Sequence, residues 1–288
     1  MLYFFRERGS SSVVERLLAK EKAAGSIPVS RSTQKHPTLV GYFCKIFLMP
    51  SPLQEVLKAL KPFANPGSPY NAFRQKCTRY PSWGIRLPDL RALYKKGFSF
   101  SHLAYKEQTA LWNTIWKTAH VHEVLSLALF YFEKRKEALT PDDWNILKTW
   151  ISRIDGWEHS DALSKIYSFL LERFPRLVYP TLKQWNTSPN PWERRNSLVP
   201  LIFYASSKRK YLPPSRILPL VKSLLKDTNP YVQKAIGWTL RECHTLYPKE
   251  TLLFLHSHIR ILSATAFSYA TEGLTPREKQ SLKQKRSS

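Results

Sequence analysis

From Met49 onward nearly every segment of this 288-residue chain carries apolar residues at helical spacing, and no stretch alternates with the period of two that a strand needs. An all-α chain follows. The periodicity predicts helices over roughly 51–61, 88–96, 106–118, 121–137, 141–153, 157–174, 176–186, 191–206, 213–226, 230–247 and 249–260. The breaks between them are short. "SPNPWERR" and "DTNPYVQK" both set Asn before Pro at a helix start, Asn as cap and Pro at the first helical position, where its missing N–H costs nothing. Asn190 and Asn229 lie 39 residues apart, a spacing that suits stacked antiparallel helix pairs and favours a solenoid over a closed bundle. A curved solenoid offers a long concave surface, large enough to cradle a duplex. The last residues, "PREKQSLKQKRSS", are expected to fray as a polar basic end, with 281–288 as a tail.

One helix start raises a chemical question. In "IDGWEHSDALSK", Asp155 can cap the free N–H groups with Glu158 three residues on, as in a capping box, and Leu163, Ile166, Tyr167, Leu170 and Phe174 form the core stripe. At roughly 100° per residue, Trp157 and Asp161 lie close together and more than about 90° from the centre of that stripe. Both therefore point away from the core. His159 projects near the stripe and is expected to be a packing residue, not a base or a ligand.

The formal charge of +24 is far beyond what solubility requires and points to a polyanionic partner, nucleic acid ahead of an anionic membrane; a uniformly solvated basic surface is the competing explanation. Three scattered cysteines, Cys44, Cys77 and Cys243, have no spacing that could hold zinc and suit a reduced, intracellular compartment. No metal or organic cofactor is expected. The longest apolar run, "TLVGYFCKIFLM", is interrupted by Lys45 and too short to span a bilayer. Residues 1–48 lack helical periodicity. "SSVVER" can be encoded by AGC TCA GTG GTA GAG CG and "GSIP" by GGT TCG ATT CC, which resemble the D-arm and T-arm of a transfer-RNA gene. The expectation is a reading frame extended backwards through such a gene, with Met49 as the natural start; a disordered extension and a targeting peptide are the alternatives. Eight Lys/Arg and three Asp/Glu lie in residues 1–48, so +19 remains without them and the charge argument survives.

In the helix from Pro230, Val232, Ile236, Thr239, Cys243 and Leu246 form one stripe while Lys234, Trp238 and Arg241 project on the opposite side. "NPWERRNS" adds Trp192, Arg194 and Arg195. Cations can neutralise phosphates while aromatics stack on bases or sugars; for each tryptophan, packing between neighbouring hairpins is the alternative.

At these residues the chain resembles the DNA alkylation repair enzymes of the AlkD type, HEAT-like-repeat DNA glycosylases. The matching segments are "YPSWGIRLPDLRAL", "GWEHSDAL", "NPWERR" and "QKAIGWTLRE", in the family's order, and the resemblance covers residues 49–280. It implies an α-helical superhelix with a concave DNA-binding face and a monofunctional hydrolase that excises cationic N3- or N7-alkylated purines. By motif position it implies Trp157 and Trp238 as active-site tryptophans, Asp161 as the catalytic aspartate and Arg195 as a DNA-contacting arginine. Trp192, Arg194, Lys234 and Arg241 complete the expected DNA-binding set. Glu158 departs from the family, which has Asp in its Trp-Asp-x-x-Asp sequence. The implied partner is double-stranded DNA carrying alkylated bases, met by a cytoplasmic monomer with no membrane contact. A catalytically silent nucleic-acid-binding solenoid and a protein–protein scaffold are the rival readings; a carboxylate on a DNA-facing surface repels phosphate and counts against the first.

Overall fold

The computed structural model describes residues 51–202 and 212–287, which fold as one unit. The expectation for residues 1–48 lies outside the described residues. Among those described there are fourteen α-helices and no strand. In chain order they are α1 (Pro52–Leu60), α2 (Pro69–Gln75), α3 (Leu87–Lys96), α4 (Tyr105–Thr118), α5 (His122–Lys134), α6 (Pro141–Trp150) and α7 (Trp157–Arg173). They continue with α8 (Pro175–Trp185), α9 (Pro191–Asn196), α10 (Pro214–Ser223), α11 (Pro230–Leu246), α12 (Pro248–His258), α13 (Ala264–Ala270) and α14 (Pro276–Ser287). None is long and apolar enough to cross a membrane.

Helix starts follow the capping chemistry of the sequence. Asn190 accepts from the Trp192 N–H and Asn229 from those of Tyr231 and Val232, each with Pro at the next position. Thr140 and Asp143 form a capping box before α6, as Ser51 and Gln54 do before α1. The pairs α4/α5, α6/α7, α8/α9 and α10/α11 then stack, and their second helices follow one another: α5 packs on α7, α7 on α9, α9 on α11, and α11 on α13. This row carries Trp157 and Asp161 on α7, Arg195 on α9 and Trp238 on α11. Between the pairs lies a continuous core with Trp112, Trp116, Trp144, Trp150, Tyr131 and Tyr167 fully buried. Trp116 stacks on Trp150 at 4.3 Å, and Trp144 meets Tyr167 edge-on at 5.2 Å.

Three expectations change. The helix expected over 191–206 ends at Asn196 and gives way to a 3₁₀ turn at Val199–Leu201, because Pro200 lacks the N–H that would continue it; residues 203–206 lie outside those described. The C-terminal end expected to fray is helical to Ser287, anchored by the buried Leu282 and started by a Thr275/Glu278 capping box. Helices α2 and α13, seven residues each, are additional. Gly237 explains how α11 and α13 approach so closely: a Cβ there would lie 2.5 Å from the Ala266 carbonyl oxygen and 2.6 Å from the Tyr269 Cβ.

Candidate active site

Helix α7 separates two faces as its sequence pattern predicts. Leu163, Ile166, Tyr167 and Leu170 are buried, whereas Trp157 is 37% exposed and the Asp161 side chain likewise 37%. His159 is buried with its Nε2 3.1 Å from the His122 carbonyl oxygen and 3.0 Å from Ser126 Oγ. A carbonyl only accepts, so Nε2 carries the proton. Burial, then the charge of His122, push the His159 imidazole well below its ordinary pKa, and it serves as a neutral packing residue.

Asp161 is clamped by Arg195. Arg195 Nη2 donates to Asp161 Oδ1 at 2.6 Å and Nε to the same oxygen at 3.3 Å, while Nη1 donates to the Tyr231 carbonyl at 2.7 Å. Among the described residues Oδ2 accepts no hydrogen bond. Arg195 is only 8% exposed, so it acts as an internal strut joining the carboxylate on α7 to the start of α11. Buried beside it, Asn196 donates to Ser160 Oγ at 2.9 Å and accepts from Ser164 Oγ at 2.6 Å, which locks α9 against α7. Held this way, the carboxylate loses little freedom when a ligand arrives.

The N-terminus of α7 is built differently from the expected capping box. Gly156 is the cap and supplies no side-chain bond. Asp155 instead accepts from Thr78 Oγ1 at 2.7 Å and the Arg79 N–H at 2.6 Å, drawing that loop down to where a Cβ on Gly156 would lie 3.0 Å from the Cys77 carbonyl oxygen. Glu158 faces the same way: Oε2 accepts from Arg74 Nε at 2.9 Å and pairs with His122 Nε2 at 3.1 Å, and Oε1 accepts from the Tyr70 hydroxyl at 3.2 Å. Burial raises the Glu158 carboxyl, but the His122 hydrogen bond and the Arg74 charge outweigh it and leave the pKa below its ordinary value. Arg74 continues inward to Glu123 at 3.0 Å. Fully buried, Glu123 also accepts from Ser82 Oγ and the backbone N–H groups of Trp83 and Ile85. This network docks α2 and the 77–85 loop beside Trp157. The result is a cavity of about 360 Å³ bordered by Tyr70, Leu87, Phe130, Trp157, Glu158 and Asp161.

The remaining residues expected at the site divide. Lys234 is exposed, its Nζ 5.7 Å from the Tyr231 ring, and Trp192 packs on the same ring at 4.9 Å. Trp238 is half-buried against the core, two turns beyond Tyr231 on that face of α11. Two arginines are engaged elsewhere. Arg194, expected to contact DNA, pairs with Asp227 at 2.6 Å and donates to the Ser188 and Pro189 carbonyls, so it braces the loop before α9. Arg241 pairs with Glu242 at 3.1 Å and with Glu272. Arg195 itself, expected to contact DNA, is internal, for the reason given above. Sequence periodicity gave no sign of Tyr70, Arg74, His122 or Glu123, which meet α7 only through the tertiary fold.

A family model described as DNA alkylation repair enzyme matches residues 56–274. No curated protein matches the chain. Among solved structures, a predicted DNA alkylation repair enzyme from Enterococcus faecalis is similar with a TM-score of 0.62 at 18% identity, covering 71% of this chain and 92% of that one. AlkD2 from Streptococcus mutans is similar with a TM-score of 0.51 at 17% identity, covering 76% of this chain and 98% of that one. At these identities the two structures share the helical-repeat fold.

Proposed function

The chain belongs to the DNA alkylation repair enzyme family, and on that premise we propose that it is a DNA glycosylase that hydrolyses the N-glycosidic bond of cationic N3- or N7-alkylated purines in duplex DNA. The observation that carries this reading is Asp161: a carboxylate half open to solvent, held through one oxygen by an internal arginine, beside an exposed tryptophan at the edge of a cavity. A carboxylate fixed in this way suits a reaction in which positive charge develops on a sugar.

In that reaction the C1′–N bond breaks and its electron pair passes to the purine, which leaves neutral. Alkylation has already made the base a good leaving group, so no strong general acid is needed. Charge accumulates on C1′ and the ring oxygen, where a carboxylate stabilises it electrostatically. Water then adds at C1′ and gives up a proton, which Asp161 Oδ2 can accept. Arg195 holds Oδ1 and so aims Oδ2. Trp157 and Trp238 flank the sugar, exclude bulk water and add aromatic–cation attraction to the oxocarbenium-like centre. Lys234 and Trp192 meet the duplex, Lys234 as a phosphate contact. The enzyme acts as a monomer in the cytoplasm without a cofactor. Incubation of the purified protein with methylated duplex DNA tests the reading: 3-methyladenine or 7-methylguanine released above the spontaneous rate is expected, and release no faster than from DNA alone overturns it.

A further inference from the structure

A second, larger cavity of about 840 Å³ lies between the C-terminal ends of α3 and α5 and shares Arg91, Phe130 and Glu133 with the cavity beside Asp161. Its border holds five cations: Arg91, Lys95, Lys96, Lys134 and Arg135. The single acidic group there, Glu133, is paired with Lys165 at 2.6 Å. Among the described residues none of the five cations has a carboxylate partner. Arg135 is partly buried and held only by neutral groups, donating to the Tyr94 hydroxyl and to Gln108 Oε1, each at 3.0 Å, with its guanidinium 4.2 Å from the Tyr131 ring. Part of this charge complements the two helix C-termini, but two macrodipoles supply only about one elementary negative charge. The rest has no carboxylate to compensate it: Arg91, Lys95, Lys96 and Lys134 are exposed and solvated, whereas the partly buried Arg135 is drawn from water without a counter-ion, which is costly.

We propose that this cavity is a phosphate-binding subsite that holds the DNA backbone beside the nucleotide under attack, with Arg135 as its fixed base and Lys95, Lys96 and Lys134 as its mobile rim. It rests on the reading above in one respect, that the chain binds DNA. Arg91, Phe130 and the Lys165-paired Glu133 border both cavities, so the two lie side by side and one strand can pass from Asp161 to the basic cavity. The subsite sets affinity and register, and takes no part in bond cleavage.

The test is a binding titration with unmodified duplex at several salt concentrations. The triple variant Lys95→Glu/Lys96→Glu/Lys134→Glu alters only exposed side chains; because all three lie in the last turn of a helix, where a cation complements the macrodipole, its melting temperature should drop by a few degrees while the chain stays folded at the assay temperature. Its affinity should fall roughly tenfold or more, and the slope of log affinity against log salt should become shallower by up to about 2.7, at about 0.9 for each of the three phosphate contacts removed. Lys222→Glu/Lys226→Glu/Lys249→Glu, at three exposed positions that border neither cavity, makes the same change in net charge and should show a distinctly smaller change in affinity and slope. Parent-like affinity and slope in the triple variant overturn the subsite, as does an equal loss in the control. Failure of the parent itself to bind duplex counts instead against the glycosylase reading, so the two failures are distinguishable.

Discussion

At the scale of single residues, Asp161 and Arg195 form one unit. Because Arg195 is internal and bonded to Asp161, it should behave as a positioning residue and not as an isolated phosphate contact. Arg195→Lys keeps a cation but cannot reproduce two bonds to one carboxylate oxygen and a third to a carbonyl. Single-turnover excision should slow by about tenfold or more, with duplex affinity and its salt slope nearly unchanged. A salt slope reduced by one phosphate's worth with excision intact would show that Arg195 contacts DNA after all. The two tryptophans should separate by burial: Trp157→Ala should cost less than about 1 kcal/mol of stability, whereas the half-buried Trp238→Ala should cost about 2–3 kcal/mol as well as activity. Equal melting temperatures for the two variants would contradict that division. The outward placement of Trp157 and Asp161 was legible in the sequence because helical periodicity fixes direction. The occupation of Arg194 by Asp227, 33 residues on, was not, because side-chain pairing between repeats leaves no periodic trace.

At the scale of elements, Gly237 and His159 give separate tests. Gly237→Ala would drive a methyl into the α13 backbone and should destabilise by about 2–3 kcal/mol, or roughly 5–10 °C in melting temperature. A parent-like melt would mean that α11 and α13 stand further apart. His159 is held neutral, with its folded pKa below the unfolded value near 6.5, so the unfolded state binds more protons in between. Its contribution is complete above about pH 6.5 and declines as pH falls toward the depressed pKa. Glu158, also depressed, should add a second decline below about pH 4.5. Melting curves should therefore show loss of stability beginning just below pH 6.5, and His159→Gln should remove that first step; a parent melt that stays flat from pH 7 to 5 would contradict it. Sequence served the helices that carry both an apolar stripe and an Asn-Pro or Thr-Pro start. It served α14 poorly, though Thr275 and Glu278 spell out a capping box, because one buried residue, Leu282, makes no stripe. Asp155 and Glu158 looked like a capping pair and proved to be tertiary anchors: their spacing suits either role, and only Thr78, Arg79, Arg74 and His122 decide between them.

For the whole molecule, the +24 charge and the helical repeat suit both a silent binder and an enzyme. Salt-dependent duplex binding therefore separates either of them from a protein–protein scaffold, but not from each other. Asp161 makes that distinction. Its proposed work begins only as charge develops on the sugar, so removing its charge should leave the ground-state complex intact and raise the barrier. The most direct measurement is single-turnover excision from a 7-methylguanine duplex by the parent and by Asp161→Asn, each paired with a binding titration at fixed salt. The account predicts release by the parent, release slowed by orders of magnitude in the variant, and variant affinity equal to or tighter than the parent's, because a charge that repels phosphate is gone. Equal excision rates for the two proteins would contradict it.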